Sequence, residues 1–522
     1  MNDKSRTRNT VRNFFVGFGG QLFQYSLSFA TRTIFIMLLS VEYLGVSGLF
    51  TNILEVLSLA EMGVGGVFVS LLYKPLHDND SQKLASLMKA YKKAYMLIGG
   101  VVAVAGMAVF PFLDLLIKEK NIANIPLIYL MFLAGSVATY FFKYKIDLLI
   151  ADQKLYINTI YTQVFIFIQY SAQILVLLLT RNFILYLAIQ IICPIVGNLF
   201  LVARINRMYP FLREKSLPLD RESLADLKRK VMAGVYHLFG YVIANGTDNI
   251  IISAFLGVYW VGIYSNYLLI IGVISAFITL TFNSVNASIG NLVASSEGIK
   301  SFRVFQNVQY INFMLVGFSA VCFMTLFNPF ISLWIGEQYL LDQKIVILIV
   351  IMFYIGRMGM QKCINIFKFS SGLFYYDRYF SLIEGLLKLA ASIYLVQHWG
   401  LAGVFAGTIF SILATKSWIE AYVVFKRLFH QPLYEYFGKY LQYGLATVVT
   451  GSIVYFLVMR IPHQSWAGFL VMAAACGLLT MGLFVLMFYR TEQFRFFYAF
   501  FMDALKNARQ GLGGGRIGTS GQ

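Results

Sequence analysis

The stretch VEYLGV, residues 41–46, recurs as VYWVGI at residues 258–263. Outward from this pair, an offset of 217 or 218 residues also aligns Pro111–Ile117 with Pro329–Ile335. A nearly constant offset that preserves the order of the segments is typical of an internal repeat. The sequence therefore predicts two structurally related halves.

The composition places these halves in a membrane. Of the 522 residues, 59% are hydrophobic and only 13% are charged, and the mean hydropathy is +0.70. Soluble domains carry roughly 25% charged residues. A chain this apolar cannot cover itself with a hydrophilic surface, so water-soluble protein classes are excluded.

Apolar segments of roughly 20 residues, the length that spans a bilayer, predict an all-α polytopic protein with about fourteen transmembrane helices. The predicted helices lie near 13–39, 45–73, 94–117, 126–150, 158–180, 183–203, 231–256, 258–290, 305–327, 344–368, 379–398, 400–424, 438–459 and 466–489. Residues 204–230 form the longest polar break, with six helices before it and eight after it.

The repeat and the polar break together predict the domain organisation. Because each repeat holds six helices, an even number, both halves enter the membrane in the same orientation and are related by a pseudo-two-fold axis along the membrane normal. The predicted parts are an N-lobe (1–203), a cytoplasmic linker (204–230), a C-lobe (231–427), two further helices (428–490) and a cytoplasmic amphipathic segment with a disordered tail (491–522).

The lysines and arginines set the predicted orientation. Most of the 42 fall in segments on the same side as the N-terminus, and the opposite side holds Lys118, Lys120, Arg181, Lys344 and Arg460. Basic residues concentrate on the cytoplasmic side of membrane proteins, so both termini are predicted to be cytoplasmic. This distribution explains the net charge of +18 without a nucleic-acid partner. Residues 81–95 are amphipathic and are predicted to lie in the cytoplasmic interface.

Two charged residues at membrane depth are the first site candidates. Ionisable groups there are costly and usually functional. The repeat aligns Asp248 with Thr31, next to Arg32, so Arg32 and Asp248 are predicted at similar depth. In the functional interpretation, Arg32 binds an anionic group and Asp248 carries a coupling proton or sodium ion. In the alternative interpretation, the two form a salt bridge between the lobes.

Four further charged residues are candidates. Arg357, near the middle of the tenth predicted helix, suits an anion because its planar fork donates bidentately. Lys388 is either a substrate ligand or neutralised by Glu384, four residues earlier on the same helix. Glu55 and Glu61 point to different faces of the second predicted helix, and one of them is a candidate to line a cavity.

Enzyme classes find little support in the sequence. No phosphate-cradling GxxxxGK[ST] loop is present, and the four cysteines show no metal-type spacing. The segments predicted outside the membrane are too short for a catalytic domain. A transporter without a cofactor, other than a coupling H⁺ or Na⁺, is therefore predicted.

Several stretches together resemble a known family. They are Val41–Gly66, Ser70–Leu76, Asp248–Tyr267 and Ser370–Thr408. In these stretches the chain resembles the polysaccharide transporter family, the Wzx-type flippases of the multidrug/oligosaccharidyl-lipid/polysaccharide (MOP) superfamily. The resemblance extends from the first to the fourteenth helix and rests on diffuse motifs.

The resemblance implies a fold of the MATE and MurJ type and a central cationic cavity. It implies flipping of undecaprenyl-pyrophosphate-linked oligosaccharide from the cytoplasmic to the outer leaflet of the bacterial cytoplasmic membrane by alternating access. Arg32, Arg357 and Lys388 would then contact the pyrophosphate or acidic sugars. Implied partners besides the lipid-linked substrate are membrane lipids, a polysaccharide polymerase and a chain-length regulator. The product would be capsule, exopolysaccharide, O-antigen or teichoic acid.

Departures from related proteins narrow the substrate. Related lipid II flippases carry arginines on the first, second and eighth helices, whereas here the second helix has Glu55 and Glu61 and the eighth has no charge. This argues against lipid II. Related multidrug exporters often have an acidic residue in the first helix, where this chain has Arg32. An ion-coupled exporter of drugs or other small molecules remains the alternative.

Overall fold

The computed structural model describes residues 3–119, 122–213, 246–295, 298–373 and 376–499. These residues are predominantly helical and include no strand, which confirms the predicted all-α class. The helices are α1 (Asp3–Leu38), α2 (Val41–Leu57), α3 (Leu59–His77), α4 (Ser81–Val109), α5 (Leu113–Leu116), α6 (Ile125–Ala151), α7 (Leu155–Thr180), α8 (Phe183–Met208), α9 (Asp248–Leu256), α10 (Val258–Ser295), α11 (Gly298–Ile335), α12 (Gln343–Ile355), α13 (Gln361–Ser370), α14 (Arg378–Trp399), α15 (Leu401–Ala414), α16 (Lys416–Val424), α17 (Leu433–Val458) and α18 (Trp466–Phe488).

The helices have the length and composition of membrane spans. Ten helical segments of the described residues are long and apolar enough to cross a membrane, and α12 is a shorter apolar helix. The chain is therefore a multi-pass membrane protein. Several predicted spans match closely: 158–180 is observed as Leu155–Thr180, and 466–489 as Trp466–Phe488. The total of fourteen stays a prediction, since residues 214–245 lie outside the described residues.

The helices pack into two compact units. The first unit falls within residues 1–276 and 378–415, and the second within 277–377 and 416–522. In the first, α3, α4, α6 and α8 enclose a core that includes Phe68 and Leu148. In the second, α11, α17 and α18 enclose a core around Val321 and Met472. The predicted lobe boundaries at 204 and 230 stay a prediction.

A reciprocal contact within the first unit follows the sequence repeat. Gly45 of α2 packs so closely on the main-chain carbonyl of Val258 that a Cβ atom at Gly45 would overlap it. Gly262 of α10 packs in the same way on the carbonyl of Val41. The offset of 217 that aligns Gly45 with Gly262 also aligns Val41 with Val258. The two contacts are therefore equivalents of each other under the predicted pseudo-two-fold relation.

Three spans that were predicted as continuous helices are interrupted. The predicted helix 45–73 breaks at Ser58, 344–368 breaks between Ile355 and Gln361, and 400–424 breaks at Thr415. Hydropathy alone does not detect such breaks, because it is averaged over a window that includes the residues on both sides.

The interruption between α12 and α13 is stabilised by specific hydrogen bonds. The amide N–H of Met360 donates to the carbonyl of Tyr354 at 2.7 Å, which closes the loop back onto α12. A side chain at Gly359 would collide with the carbonyl of Tyr354, so this position requires glycine. The buried Asn312 of α11 donates to the carbonyls of Gly359 (3.1 Å) and Met360 (3.2 Å). These bonds tie the start of α13 to α11.

The amphipathic segment 81–95 is not a separate helix in the membrane interface, so that prediction is wrong. It forms the first half of α4, which continues without a break to Val109. Its apolar residues Leu84, Leu87 and Met88 are buried in the core of the first unit. The segment is amphipathic because one face packs against protein.

Candidate functional site

Asp248 and Lys388 form the centre of the candidate site in the first unit. The Lys388 Nζ atom lies 2.9 Å from Asp248 Oδ1, and the hydroxyl of Thr408 donates to the same oxygen at 3.1 Å. The Lys388 side chain is 2% exposed, whereas that of Asp248 is 15% exposed. The ammonium is therefore enclosed, while its carboxylate partner retains some accessibility.

Secondary structure places these three residues together. Asp248 is the first residue of α9, and Lys388 and Thr408 lie on α14 and α15, which both pack against α9. The N-terminus of a helix carries a partial positive charge that favours an anion. The Asp248 carboxylate thus lies between two positive determinants, the start of α9 and the ammonium of Lys388. This arrangement is suited to holding an anionic group.

Arg32 lies in the same unit and contacts a different helix. Its Nη1 atom donates to the hydroxyl of Ser265 on α10 at 2.9 Å, and the side chain is half-buried. The repeat aligns Arg32 with Asn249 and Ser265 with Gly48. The amide of Asn249 lies beside Gly48, 3.5 Å from where a Cβ would be. The repeat therefore places Asn249 beside Gly48 as it places Arg32 beside Ser265, but only Arg32 carries a charge.

Arg357 does not lie in the middle of a helix, so that part of the prediction is wrong. It lies in the interruption between α12 and α13, in the second unit, and is half-buried. Interrupted helices at membrane depth commonly form substrate or ion sites. Arg357 acts electrostatically on Glu420, as does Lys416, the first residue of α16.

The second unit also holds a buried ion cluster that the sequence interpretation missed. The Lys368 Nζ atom lies 2.5 Å from Asp377 Oδ2 and 2.7 Å from Glu420 Oε1. All three side chains are 2% or 3% exposed. Lys368 was not singled out because it lies close to the predicted end of its helix. Its charge pattern in the sequence is also compatible with an ordinary interfacial lysine.

The two acidic candidates on the second predicted span differ in what the structure describes. Glu55 is exposed on α2 and accepts a hydrogen bond from Asn52 Nδ2 at 3.1 Å. The side chain of Glu61, on α3, lies outside the described residues. No group of histidine, cysteine, aspartate or glutamate within the described ranges is arranged to hold a metal ion.

Comparisons with known proteins give the fold. No protein-family model and no curated protein matches this sequence. Among solved structures, the lipid II flippase MurJ in an inward closed conformation matches with a TM-score of 0.66 and 11% identity, covering 90% of this chain and 98% of its own. An inward-facing multidrug resistance MATE family transporter of the MOP superfamily matches with a TM-score of 0.56 and 14% identity, covering 75% and 91%.

A third structure agrees with the first two. A point mutant of the Vibrio cholerae MATE transporter VcmN matches with a TM-score of 0.56 and 15% identity, covering 83% of this chain and 98% of its own. The chain therefore has the fold of MATE and MurJ transporters, as predicted.

Proposed function

We propose that this protein is a flippase for undecaprenyl-pyrophosphate-linked oligosaccharide units. It moves them from the cytoplasmic to the outer leaflet of the bacterial cytoplasmic membrane by alternating access. The units would serve the synthesis of a surface polysaccharide such as capsule, exopolysaccharide, O-antigen or teichoic acid. Both termini would be cytoplasmic, and a polymerase and a chain-length regulator would act on the product.

One observation carries this proposal: the enclosed ammonium of Lys388 beside the N-terminus of α9. A buried cation is costly unless it is paired. Here the pair is completed by Asp248, which is the more accessible of the two residues. The carboxylate thus takes the position that a phosphate group of the substrate would occupy.

An exchange of partners gives a transport cycle. The pyrophosphate would replace the Asp248 carboxylate at Lys388, and the released carboxylate would take up the coupling proton or sodium ion. Release of the substrate would restore the pair. Arg32 and Arg357 would add further bidentate contacts to phosphate or acidic sugars.

The fold comparisons support two transporter classes. The structure named as a lipid II flippase matches most of both chains, which supports a lipid-linked substrate. The structure named as a multidrug resistance transporter supports the alternative, an ion-coupled exporter of small molecules. Lys388 and Arg32 favour the flippase, because a site for organic cations would be expected to carry uncompensated carboxylates.

A sided accumulation assay tests the proposal. Cells that lack the protein would be complemented with wild type, Lys388→Met, Arg32→Ala or Arg357→Ala at matched membrane levels. Lys344→Ala is the control, since Lys344 is exposed at the start of α12. Undecaprenyl-linked oligosaccharide in the cytoplasmic leaflet would be quantified.

The expected result is accumulation without the protein, clearance by wild type and Lys344→Ala, and persistence in the other three variants. If no lipid-linked intermediate accumulates in the deletion strain, the flippase proposal fails and small-molecule efflux becomes the hypothesis to test. If the arginine and Lys388 variants clear the intermediate like wild type, the proposed anion site is wrong.

A further inference from the structure

A second buried carboxylate lies in the first unit, away from the Asp248 site. Asp147 of α6 is 3% exposed. One of its oxygens, Oδ2, accepts a hydrogen bond from the hydroxyl of Tyr91 and another from the hydroxyl of Tyr95 at 3.3 Å. Both tyrosines are on α4 and are almost fully buried. In the described part of the chain, no basic side chain forms an ion pair with Asp147.

Gly65 of α3 completes the enclosure. A Cβ atom there would lie 3.2 Å from the Tyr95 hydroxyl and 3.5 Å from both the Tyr91 hydroxyl and Asp147 Oδ2. The hydroxyl of Tyr91 also reaches the main-chain carbonyl of Gly65 at 3.5 Å. Three helices therefore meet around one carboxylate, and the polar atoms that they bring to it are all neutral oxygens.

A neighbouring aspartate shows what the Asp147 site lacks. Asp152, just after the end of α6, also accepts from a tyrosine, Tyr209, at 2.6 Å, but it lies 2.7 Å from the ammonium of Lys154 as well. Its side chain is 13% exposed. The carboxylate of Asp152 therefore has a cation and some solvent beside it, whereas Asp147 is 3% exposed and forms no ion pair within the described residues. Burial of an unbalanced charge costs several kcal/mol.

Other titratable groups on α6 and on the elements packed against it include Glu55 on α2, Lys92 on α4, Tyr140, Lys143, Tyr144 and Lys145 on α6, Tyr161 on α7 and Arg204 on α8. Glu55, Lys92 and Arg204 are exposed. Lys145 donates to Asn206 of α8 at 2.8 Å. The side chain of Glu61 on α3 lies outside the described residues. None of the described groups supplies the cation that Asp147 lacks.

We propose that Asp147 is a proton-binding site of the first unit, distinct from the Asp248–Lys388 pair. The proton joins a carboxylate oxygen of Asp147, and no other covalent bond changes. The Tyr91 hydroxyl, which donates to the ionised carboxylate, then accepts from the neutral acid and turns its own hydrogen to the carbonyl of Gly65. Protonation thus replaces the hydrogen bond from Tyr91 on α4 to Asp147 on α6 with two consecutive hydrogen bonds. One runs from Asp147 to Tyr91, and the other runs from Tyr91 to the carbonyl of Gly65 on α3.

Infrared difference spectroscopy of the full chain in lipid nanodiscs tests this inference without any substrate. Spectra recorded as the pH is changed would show the carbonyl stretch of a neutral carboxylic acid, shifted in heavy water. The band is expected to be lost in Asp147→Asn and retained in the matched control Asp152→Asn. Because only proton binding is measured, the result does not depend on the proposed flippase activity.

Tyrosine variants keep the inference testable if Asp147→Asn does not fold. Tyr91→Phe removes one hydrogen bond to Asp147 and is expected to shift the band, whereas Tyr209→Phe, which affects only Asp152, is expected to leave it unchanged. A wild type that shows no such band across the accessible pH range would overturn the inference. A band that persists in Asp147→Asn, or that responds to Tyr209→Phe but not to Tyr91→Phe, would overturn it as well.

Discussion

The ammonium of Lys388 and the carboxylate of Asp248 form an ion pair of 2.9 Å between the first residue of α9 and the interior of α14. Removing one member of a buried pair leaves the other charge uncompensated, at a cost of roughly 3–5 kcal/mol. Removing both charges avoids most of that cost. The pair is therefore expected to behave as a unit.

We predict that Lys388→Met lowers the unfolding temperature of the purified protein and that Asp248→Asn/Lys388→Met restores most of the loss. Scanning calorimetry or fluorescence-detected unfolding in detergent measures both. Transport is expected to be lost in both variants, because each lacks the ammonium. Equal destabilisation by the single and double variants would contradict a coupled pair.

Loss of the Lys368 ammonium is expected to destabilise the protein, because this cation lies beside two buried carboxylates. Lys368→Met leaves the carboxylates of Asp377 and Glu420 buried without their common cation, so the unfolding free energy is expected to fall by roughly the 3–5 kcal/mol of a broken buried pair. The matched control is Lys362→Met on the same helix, since Lys362 is only half-buried. Similar unfolding temperatures for the two variants would show that the cluster adds no stability.

Alanine at either member of the reciprocal glycine contact is expected to destabilise the protein to a similar degree. At both Gly45 and Gly262 the added methyl group meets main-chain carbonyl atoms that cannot rotate away, and overpacking of this kind costs about 1–3 kcal/mol. Gly66→Ala is the control, because nothing lies within 4 Å of a Cβ atom at that helical position. Thermal unfolding of the three variants distinguishes a packing effect from a general effect of alanine.

Two cysteines provide a direct probe of packing in the second unit. The Sγ atoms of Cys322 on α11 and Cys476 on α18 lie 4.0 Å apart. Treatment with copper phenanthroline is expected to join them with loss of two hydrogen atoms, detectable by mass spectrometry of the digested protein. Cys322→Ser should abolish this product. Crosslinks of Cys193 or Cys363 in place of this pair would contradict the packing.

The spans and the repeat could be predicted because they depend on local composition. A run of apolar residues favours a membrane helix wherever it occurs, and the offset of the repeat pairs Gly45 with Gly262, whose contacts are reciprocal in the structure. The interruptions could not be predicted in this way. The break around Arg357 is contacted by Asn312, a residue of another helix that donates to the carbonyls of Gly359 and Met360.

The ion pairs were predicted less well than the helices. The sequence offered Glu384 as a neighbouring partner of Lys388, and the structure adds Asp248, 140 positions away in the sequence. Pairing at such separations is determined by tertiary packing. Asp147 was passed over for a related reason: near Lys143 and Lys145 it looks like part of a charged helix end, and only the structure brings Tyr91 and Tyr95 to it.

The contact of Gly45 with Val258 and of Gly262 with Val41 also limits how α2 and α10 can move. Because main-chain atoms of the two helices are in direct contact at this point, the helices cannot slide past each other there, but they can rotate about the contact. The contact lies near the first residue of each helix, and within the first unit α10 continues to residue 276, 14 residues beyond Gly262, roughly 21 Å at 1.5 Å per residue. A small rotation about this contact therefore produces a larger displacement at the far end of that segment, so a methyl group added at Gly45 or Gly262 is expected to impede the rotation as well as the packing.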